Sequence, residues 1–374
     1  MPGRAFPQDL WPKQLRKKSK RQMGVFDLFC GCGGLSVGFQ MDGYKIAAGV
    51  DHDDAALATF KANFPTSQCL SADLAAKGIG QQLKERIGGA KVDVVVAGPP
   101  CQGFSLTGPR NFDDPRNQLY LAVFETVKAM QPAGFVIENV RGMASLYGGQ
   151  VREEVIRRFA RLGYSTVAQV LCAADYGVPQ IRHRLFFVGL RSELGVFEFP
   201  DPTHGPGRPL PFVTCKDAIG DLPPLYPPDF GEEVSVLESD SDSDFQSLMR
   251  RNSNKLFNHV ATRHTEIVRQ VIALVPAGGD HKDLPPGIGK HRKFNEAWTR
   301  YHPSRPSHTI DTGHRNHFHY ELDRVPTVRE NARLQSFPDR FRFVGTRTQQ
   351  NRQVGNAVPP LLVKAIASHL RHWI

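Results

Sequence analysis

Cysteine is scarce in this chain. Six occur among 374 residues, at Cys30, Cys32, Cys69, Cys101, Cys172 and Cys215, with no paired spacing. That argues against a disulfide framework and fits a reducing compartment. Long apolar runs are missing too, and none approaches the ~20 residues that span a bilayer. The first residues, 1–22, are basic but lead into no apolar stretch, so no secretory signal is expected. No Gly-Lys-Ser/Thr follows the glycine-rich turn at residues 31–34, which excludes a Walker phosphate loop. No internal repeat is visible. Acidic residues are outnumbered, 37 against 47 basic ones, and the resulting net charge of +10 points to a polyanionic partner.

What is present reads as an ordinary globular protein. Hydrophobic residues are 40% and charged residues 22%, enough for a large core, and the length predicts about two domains. Arg16, Lys17, Lys18, Lys20 and Arg21 read as a solvated basic tail. From Val25 onward, short apolar runs alternate with helical stretches. The runs are Val25–Phe29, Ile46–Val50, Val92–Ala97, Phe135–Ile137 and Leu185–Val188. The helical stretches include Ala55–Asn63 and Leu119–Met130. This alternation predicts a mostly parallel α/β sheet covered on both faces. After about Leu190 the character changes. Residues 200–211 and 222–228 are rich in proline, and Glu232–Asp244 is acidic and serine-rich, which predicts a mobile insertion or loop. Residues 195–325 read as a second, irregular domain built for recognition. Five of fourteen histidines fall between His302 and His319, but no cysteines lie near them, so polar recognition loops are expected there rather than zinc. The α/β pattern is expected to resume at Thr327 and to end in an amphipathic helix over Pro359–Ile374.

Four turns carry candidate chemistry. Phe26-Asp27-Leu28-Phe29-Cys30-Gly31-Cys32-Gly33-Gly34-Leu35-Ser36 joins a strand to a helix, and its glycines allow close approach of a ligand. Asp51 ends the next strand, where a carboxylate can accept hydrogen bonds from a ribose. The alternatives at this point are a nucleoside-bearing cofactor or a merely tight turn. Gly98-Pro99-Pro100-Cys101-Gln102-Gly103-Phe104-Ser105 places a cysteine just beyond a strand's carboxyl end, in a turn stiffened by two prolines. The second cysteine of a zinc deaminase is replaced by Phe104, which argues against that chemistry. Glu138 and Asn139 follow the Phe135–Ile137 strand, where a carboxyl can carry a raised pKa and donate a proton. Gln180, Arg182 and Arg184 alternate on one face of an extended segment and can clamp a phosphate or a carbonyl.

Taken together, these segments resemble the DNA (cytosine-5)-methyltransferases, in the compact form found in prokaryotic restriction-modification systems. FDLFCGCGG is similar to that family's cofactor motif and GPPCQGFS to its nucleophile motif. ENV is similar to its acid motif and QIRHR to its Gln-x-Arg-x-Arg motif. RENARLQSFPD and QVGNAVPP are similar to its closing motifs. The resemblance covers about 1–195 and 326–374, in the family's order. It implies an S-adenosylmethionine-dependent, Rossmann-like doubly wound sheet with a smaller irregular target-recognition domain. The implied divisions are a basic tail at 1–22, a catalytic and cofactor-binding domain at 23–195, target recognition at 196–325, and a segment at 326–374 returning to the catalytic domain.

The resemblance also implies roles. Cys101 is the expected nucleophile at C6 of cytosine, and Glu138 the acid at N3, supported by Asn139. Arg184 holds the O2 side, and Arg182 stabilises the nucleophile or its loop. S-adenosylmethionine is the expected cofactor, with no metal. Phe29 stacks on its adenine, Asp51 binds the ribose, Asp73 the adenine amino group, and Asn356 the methionine part. Gly31, Gly33, Gly34, Leu35, His52, Leu74, Pro100, Leu119 and Ala357 complete that set. Gln102, Ser105, Thr309 and Arg315 are expected to touch DNA. The implied partner is double-stranded DNA carrying a short specific site, with a cognate restriction endonuclease as functional counterpart. A cytoplasmic, nucleoid-associated monomer without membrane attachment is expected. An RNA methyltransferase of the same architecture is disfavoured, because the Cys-Phe-Thr tripeptide of that branch is missing. A binding module without catalysis is disfavoured by the presence of Cys101, Glu138 and Arg184.

Overall fold

The computed structural model describes residues 22–100, 118–237, 239–288, 298–313 and 316–374. The basic tail therefore lies outside the described residues. Seven strands form one sheet: β1 (Gly24–Leu28), β2 (Lys45–Asp51), β3 (Gln68–Ser71), β4 (Val94–Ala97), β5 (Gly134–Val140), β6 (Tyr164–Cys172) and β7 (His183–Arg191). Their spatial order is β3-β2-β1-β4-β5-β7-β6. The first five run parallel, while β7 is antiparallel to both β5 and β6. The buried strands read as unbroken apolar runs because both faces are covered. Val25, Val94, Val96, Val136 and Val188 face one apolar cluster. Their neighbours Phe26, Val95, Phe135, Ile137 and Phe187 face another.

Helices fill both layers. Helices α1 (Gly34–Met41) and α2 (Asp54–Asn63) lie on the first face, and α3 (Ile79–Arg86), α4 (Gln118–Met130) and α5 (Gln150–Ala160) on the second. Chain order reverses between β1 and β4, so the carboxyl ends of these two strands splay apart into a crevice.

The middle of the chain is built from small pieces: α6 (Cys215–Ile219), β8 (Val234–Val236), α7 (Asp244–Arg250), β9 (Lys255–Phe257), α8 (Glu266–Ala273), β10 (Thr299–Arg300) and β11 (His317–Phe318). β8 pairs with β9 and β10 with β11, in two separate ribbons. Many of its apolar residues, such as Cys215, Ile219, Phe245 and Tyr301, belong to the same cluster as the sheet. The chain closes with α9 (Val328–Leu334), α10 (Arg347–Asn356) and α11 (Pro360–Leu370), with α11 packed on α1.

Several expectations need correction. β5 does not stop at Ile137; pairing with β7 carries it to Val140, so Glu138 and Asn139 sit inside the strand. The acidic tract is anchored rather than a free loop. Val234–Val236 forms β8, Ser239 donates to the Asp221 carbonyl, and Ser243 caps α7 through Gln246 N–H. Its serines satisfy backbone groups, which a composition reading cannot foresee. Residues after Thr327 return as helices alone. The histidine cluster is partly structural: His319 is buried and accepts from Glu321 and Leu322 N–H, and His317 bonds Thr299. Among the described residues no helix is long and apolar enough to cross a membrane.

Candidate active site

The carboxyl ends of β1, β2, β4 and β5 surround a cavity of about 640 Å3. That is a size suited to a nucleoside-bearing small molecule. The turn after β1 is shaped by backbone bonds. Cys30 N–H reaches the Val50 carbonyl and Gly33 N–H returns to Cys30. Phe29 adopts a positive φ of 56°, which turns its ring into the cavity wall. Gly33 caps α1 at φ 103°, a left-handed conformation that glycine adopts at little cost. Gly33 does not line the cavity; it is backed by Phe60 and Phe64. Gly31, Gly34 and Leu35 do line it.

Asp51 is held firmly in this wall. Its Oδ2 accepts from Gly31 N–H at 2.8 Å, and its Oδ1 accepts from His52 and Asp53 N–H at 2.7 and 3.0 Å. The carboxylate is thus fixed before any ligand arrives. His52, Asp73, Leu74, Pro100, Leu119, Asn356 and Ala357 also border the cavity, with the His52 ring mostly in solvent. An oriented carboxylate, an aromatic ring, three leucines and a glycine-rich helix start suit the ribose, adenine and methionine parts of S-adenosylmethionine. Among the described residues no cluster of three or more His, Cys, Asp or Glu side chains is placed to hold a metal.

At the other end of the cavity, Arg184 Nε lies 2.8 Å from Glu138 Oε1. Burial raises the Glu138 pKa above the ordinary carboxyl value, and Arg184 and Arg182 oppose that rise. Antiparallel pairing makes the encounter, because Val140 stands opposite Arg184 in the register. Asn139 is buried and donates to the Pro99 carbonyl at 3.2 Å, which ties β5 to the turn leading toward Cys101. Arg182 is 2% exposed; its guanidinium reaches the Ile310 and Gly355 carbonyls at 3.1 and 2.7 Å. Burial and neighbouring Arg184 pull its pKa below the usual guanidinium value.

Cys101, Gln102, Ser105 and Arg315 lie outside the described residues. Thr309 is exposed and is not among the residues that line the cavity; its hydroxyl donates to the Ile181 carbonyl. Every described cysteine has its thiol pKa raised, chiefly by burial, and Cys32 is pushed up to about 12. None of these five is a ready thiolate.

Sequence reasoning missed the rim. Arg352 Nη2 meets Asp53 Oδ2 at 2.5 Å across the cavity mouth, and Asp53 Oδ1 caps α2. The only signal for it was an arginine just ahead of the QVGNAVPP segment. Gln353 was missed as well; its side chain bonds Thr59 at 2.7 Å and joins α10 to α2.

Residues 23–372 match the family model described as C-5 cytosine-specific DNA methylase. The chain is 40% identical over 344 residues to Type II methyltransferase M1.HphI of Haemophilus parahaemolyticus, an alignment that covers 91% of this chain and 84% of that one. It is 34% identical over 429 residues to Type II methyltransferase M.AgeI of Thalassovita gelatinovora, covering 93% and 99%. A solved E. coli protein, described as a prophage-encoded DNA modification methyltransferase, matches with a TM-score of 0.75 and 29% identity over 94% of this chain and 99% of that one.

Proposed function

Since the chain belongs to the C-5 cytosine-specific DNA methylase family, we propose that it methylates C5 of a flipped-out cytosine within a short, specific double-stranded DNA sequence, as the modification half of a Type II restriction-modification system. The observation that carries this reading is the Glu138–Arg184 pair at one end of a cavity whose other end suits S-adenosylmethionine. Phe29, Asp51, Asp73, Leu119 and Asn356 would hold that cofactor. When bound, it supplies an electrophilic methyl group.

The protein's own groups make C5 of cytosine nucleophilic. The Cys101 thiolate adds to C6, and Glu138 gives a proton to N3, so the electron pair released into the ring reaches C5. Burial moves Glu138 in the direction an acid needs, against the opposing pull of Arg184 and Arg182. Arg184 orients Glu138 and faces the O2 side of the base. With the methyl group taken up at C5, loss of the C5 proton to a base would expel the Cys101 thiolate from C6, and N3 would return its proton to Glu138, which restores the neutral aromatic ring. Inside the duplex these atoms are out of reach, so the base must leave the stack, at a cost of a few kcal/mol repaid in the pocket. Residues 196–325 are read as the part that selects sequence, and the +10 net charge as the source of phosphate affinity. A monomer acting on cytoplasmic DNA, opposite a cognate endonuclease, completes the proposal.

Base-resolution 5-methylcytosine mapping in cells expressing the chain, beside a Cys101→Ser control, tests it. Methylation at one short sequence, missing in the control, is the expected result. Full methylation by the Cys101→Ser protein would overturn the covalent route.

A further inference from the structure

Arg182 has an unusual setting. It is buried, its two terminal nitrogens reach carbonyls of two distant segments, Ile310 and Gly355, and its Nε has no partner. No carboxylate hydrogen-bonds it among the described residues. Gln180 repeats the pattern: its Oε1 accepts from Ile310 N–H at 3.1 Å and its Nε2 donates to the Leu334 carbonyl at 3.3 Å. Backbone bonds lay the same segment alongside. Ile181 N–H reaches Ser307, and Ser307 N–H reaches Pro179, each at 2.9 Å. On the far side, Gly355 presses against it so closely that an added Cβ would sit 2.3 Å from the Asp311 carbonyl oxygen. Residues 307–312 are therefore clamped between the Gln180–Arg182 stretch and the end of α10. That helix end carries Asn356, which borders the cavity.

We infer that Gln180 and Arg182 are positioning residues that lock the Ser307–Thr312 segment to the cofactor-side end of α10, so that cofactor occupancy and DNA binding strengthen each other. The inference rests on the proposed function, with Thr309 as the DNA contact that the family resemblance implies. A rigid connection gives the two sites a route to coupling, and thermodynamic linkage makes any such coupling reciprocal. It also separates two roles for Arg182. If its charge alone mattered, lysine would substitute in part. A brace favours the planar fork, which aims one fixed N–H group at each carbonyl, whereas a lysine ammonium is a single point charge on a flexible stem.

The test uses the full-length protein and a duplex carrying its mapped site. DNA Kd is measured by fluorescence anisotropy with and without saturating S-adenosylhomocysteine. Wild type is expected to bind at least about fivefold tighter with it, the low end of ordinary coupling. Arg182→Lys and Gly355→Ala should each bring that ratio to within about twofold of one, each variant being measured at S-adenosylhomocysteine that saturates it by calorimetry. Thr309→Val, on the exposed side of the clamp, should lower the ratio partly, and it decides the matter if the buried variants do not fold. A wild-type ratio near one, or an undiminished ratio in folded Arg182→Lys or in Thr309→Val, would sink the brace. Failure of wild type to bind or methylate DNA under any condition would instead sink the DNA reading itself.

Discussion

Two carboxyls near the site sit in different settings, Glu138 partly exposed and Asp27 fully buried. Glu138 is reached by Arg184 and borders the cavity, and in the proposed function it is the acid that serves the base. Glu138→Gln keeps a hydrogen-bonding amide but has no proton to transfer. Single-turnover methylation should slow by about 10²–10⁴-fold, the usual worth of a placed acid, and an unchanged rate would remove Glu138 from the mechanism. Asp27 lies behind the glycine-rich turn. Its Oδ2 accepts the Ser36 hydroxyl at 2.6 Å, while Oδ1 is buried without a partner. Burial raises its pKa from 3.8 to about 7, against the lowering effect of the Ser36 hydrogen bonds. The folded chain then holds this proton more tightly than the unfolded chain. Its stabilising contribution is full below about pH 4 and is lost as pH rises through about 7. Asp27→Asn should flatten the fall in Tm between pH 5 and pH 8 relative to wild type. Parallel Tm curves for the two proteins would contradict the assignment.

Among the elements, α1 decides how the cavity is walled. It starts at the glycine-rich turn and packs on α11, from the far end of the chain. Gly38 makes that approach possible: an added Cβ would lie 2.4 Å from Val363 Cβ and 2.7 Å from the Pro360 carbonyl oxygen. Gly38→Ala should therefore cost about 1–3 kcal/mol in urea unfolding, as overpacking does, despite alanine's better helix propensity. A stabilised variant would show that the two helices have room to separate. The strands taught a different lesson. Their apolar cores were legible from unbroken valine runs, but the end of β5 was not. Nothing local in Glu138-Asn139-Val140 says strand; the partner His183–Arg191 supplies the missing ladder.

Across the whole molecule, α9 works as a polar bolt between the sheet layer and the small central elements. Arg333 is fully buried and bonds Asp339 at 2.6 and 2.7 Å, Asp221 at 2.9 Å and the Ala218 carbonyl at 2.8 Å. Arg250 reaches Asp221 from α7, and Glu330 holds Arg324 through both oxygens. Arg333→Leu would leave buried Asp339 with only the more distant Arg329 at 3.9 Å, and Asp221 with Arg250 alone. A loss of about 3–5 kcal/mol is expected in urea unfolding, and a loss below about 1 kcal/mol would mean the carboxylates find water instead. This bolt was hidden in the sequence, where Arg333 sits in a helical stretch that reads as merely polar. The division of knowledge follows from distance along the chain. Strand cores, the glycine-rich turn and the placing of Asp51 and Glu138 near strand ends were determined by the sequence itself, because each depends on a few contiguous residues. Which side chains meet was decided only in three dimensions: Glu138 with Arg184, Arg182 with Ile310 and Gly355, Arg352 with Asp53. Those partners are far apart along the chain, and the packing that joins them leaves no local periodicity to read.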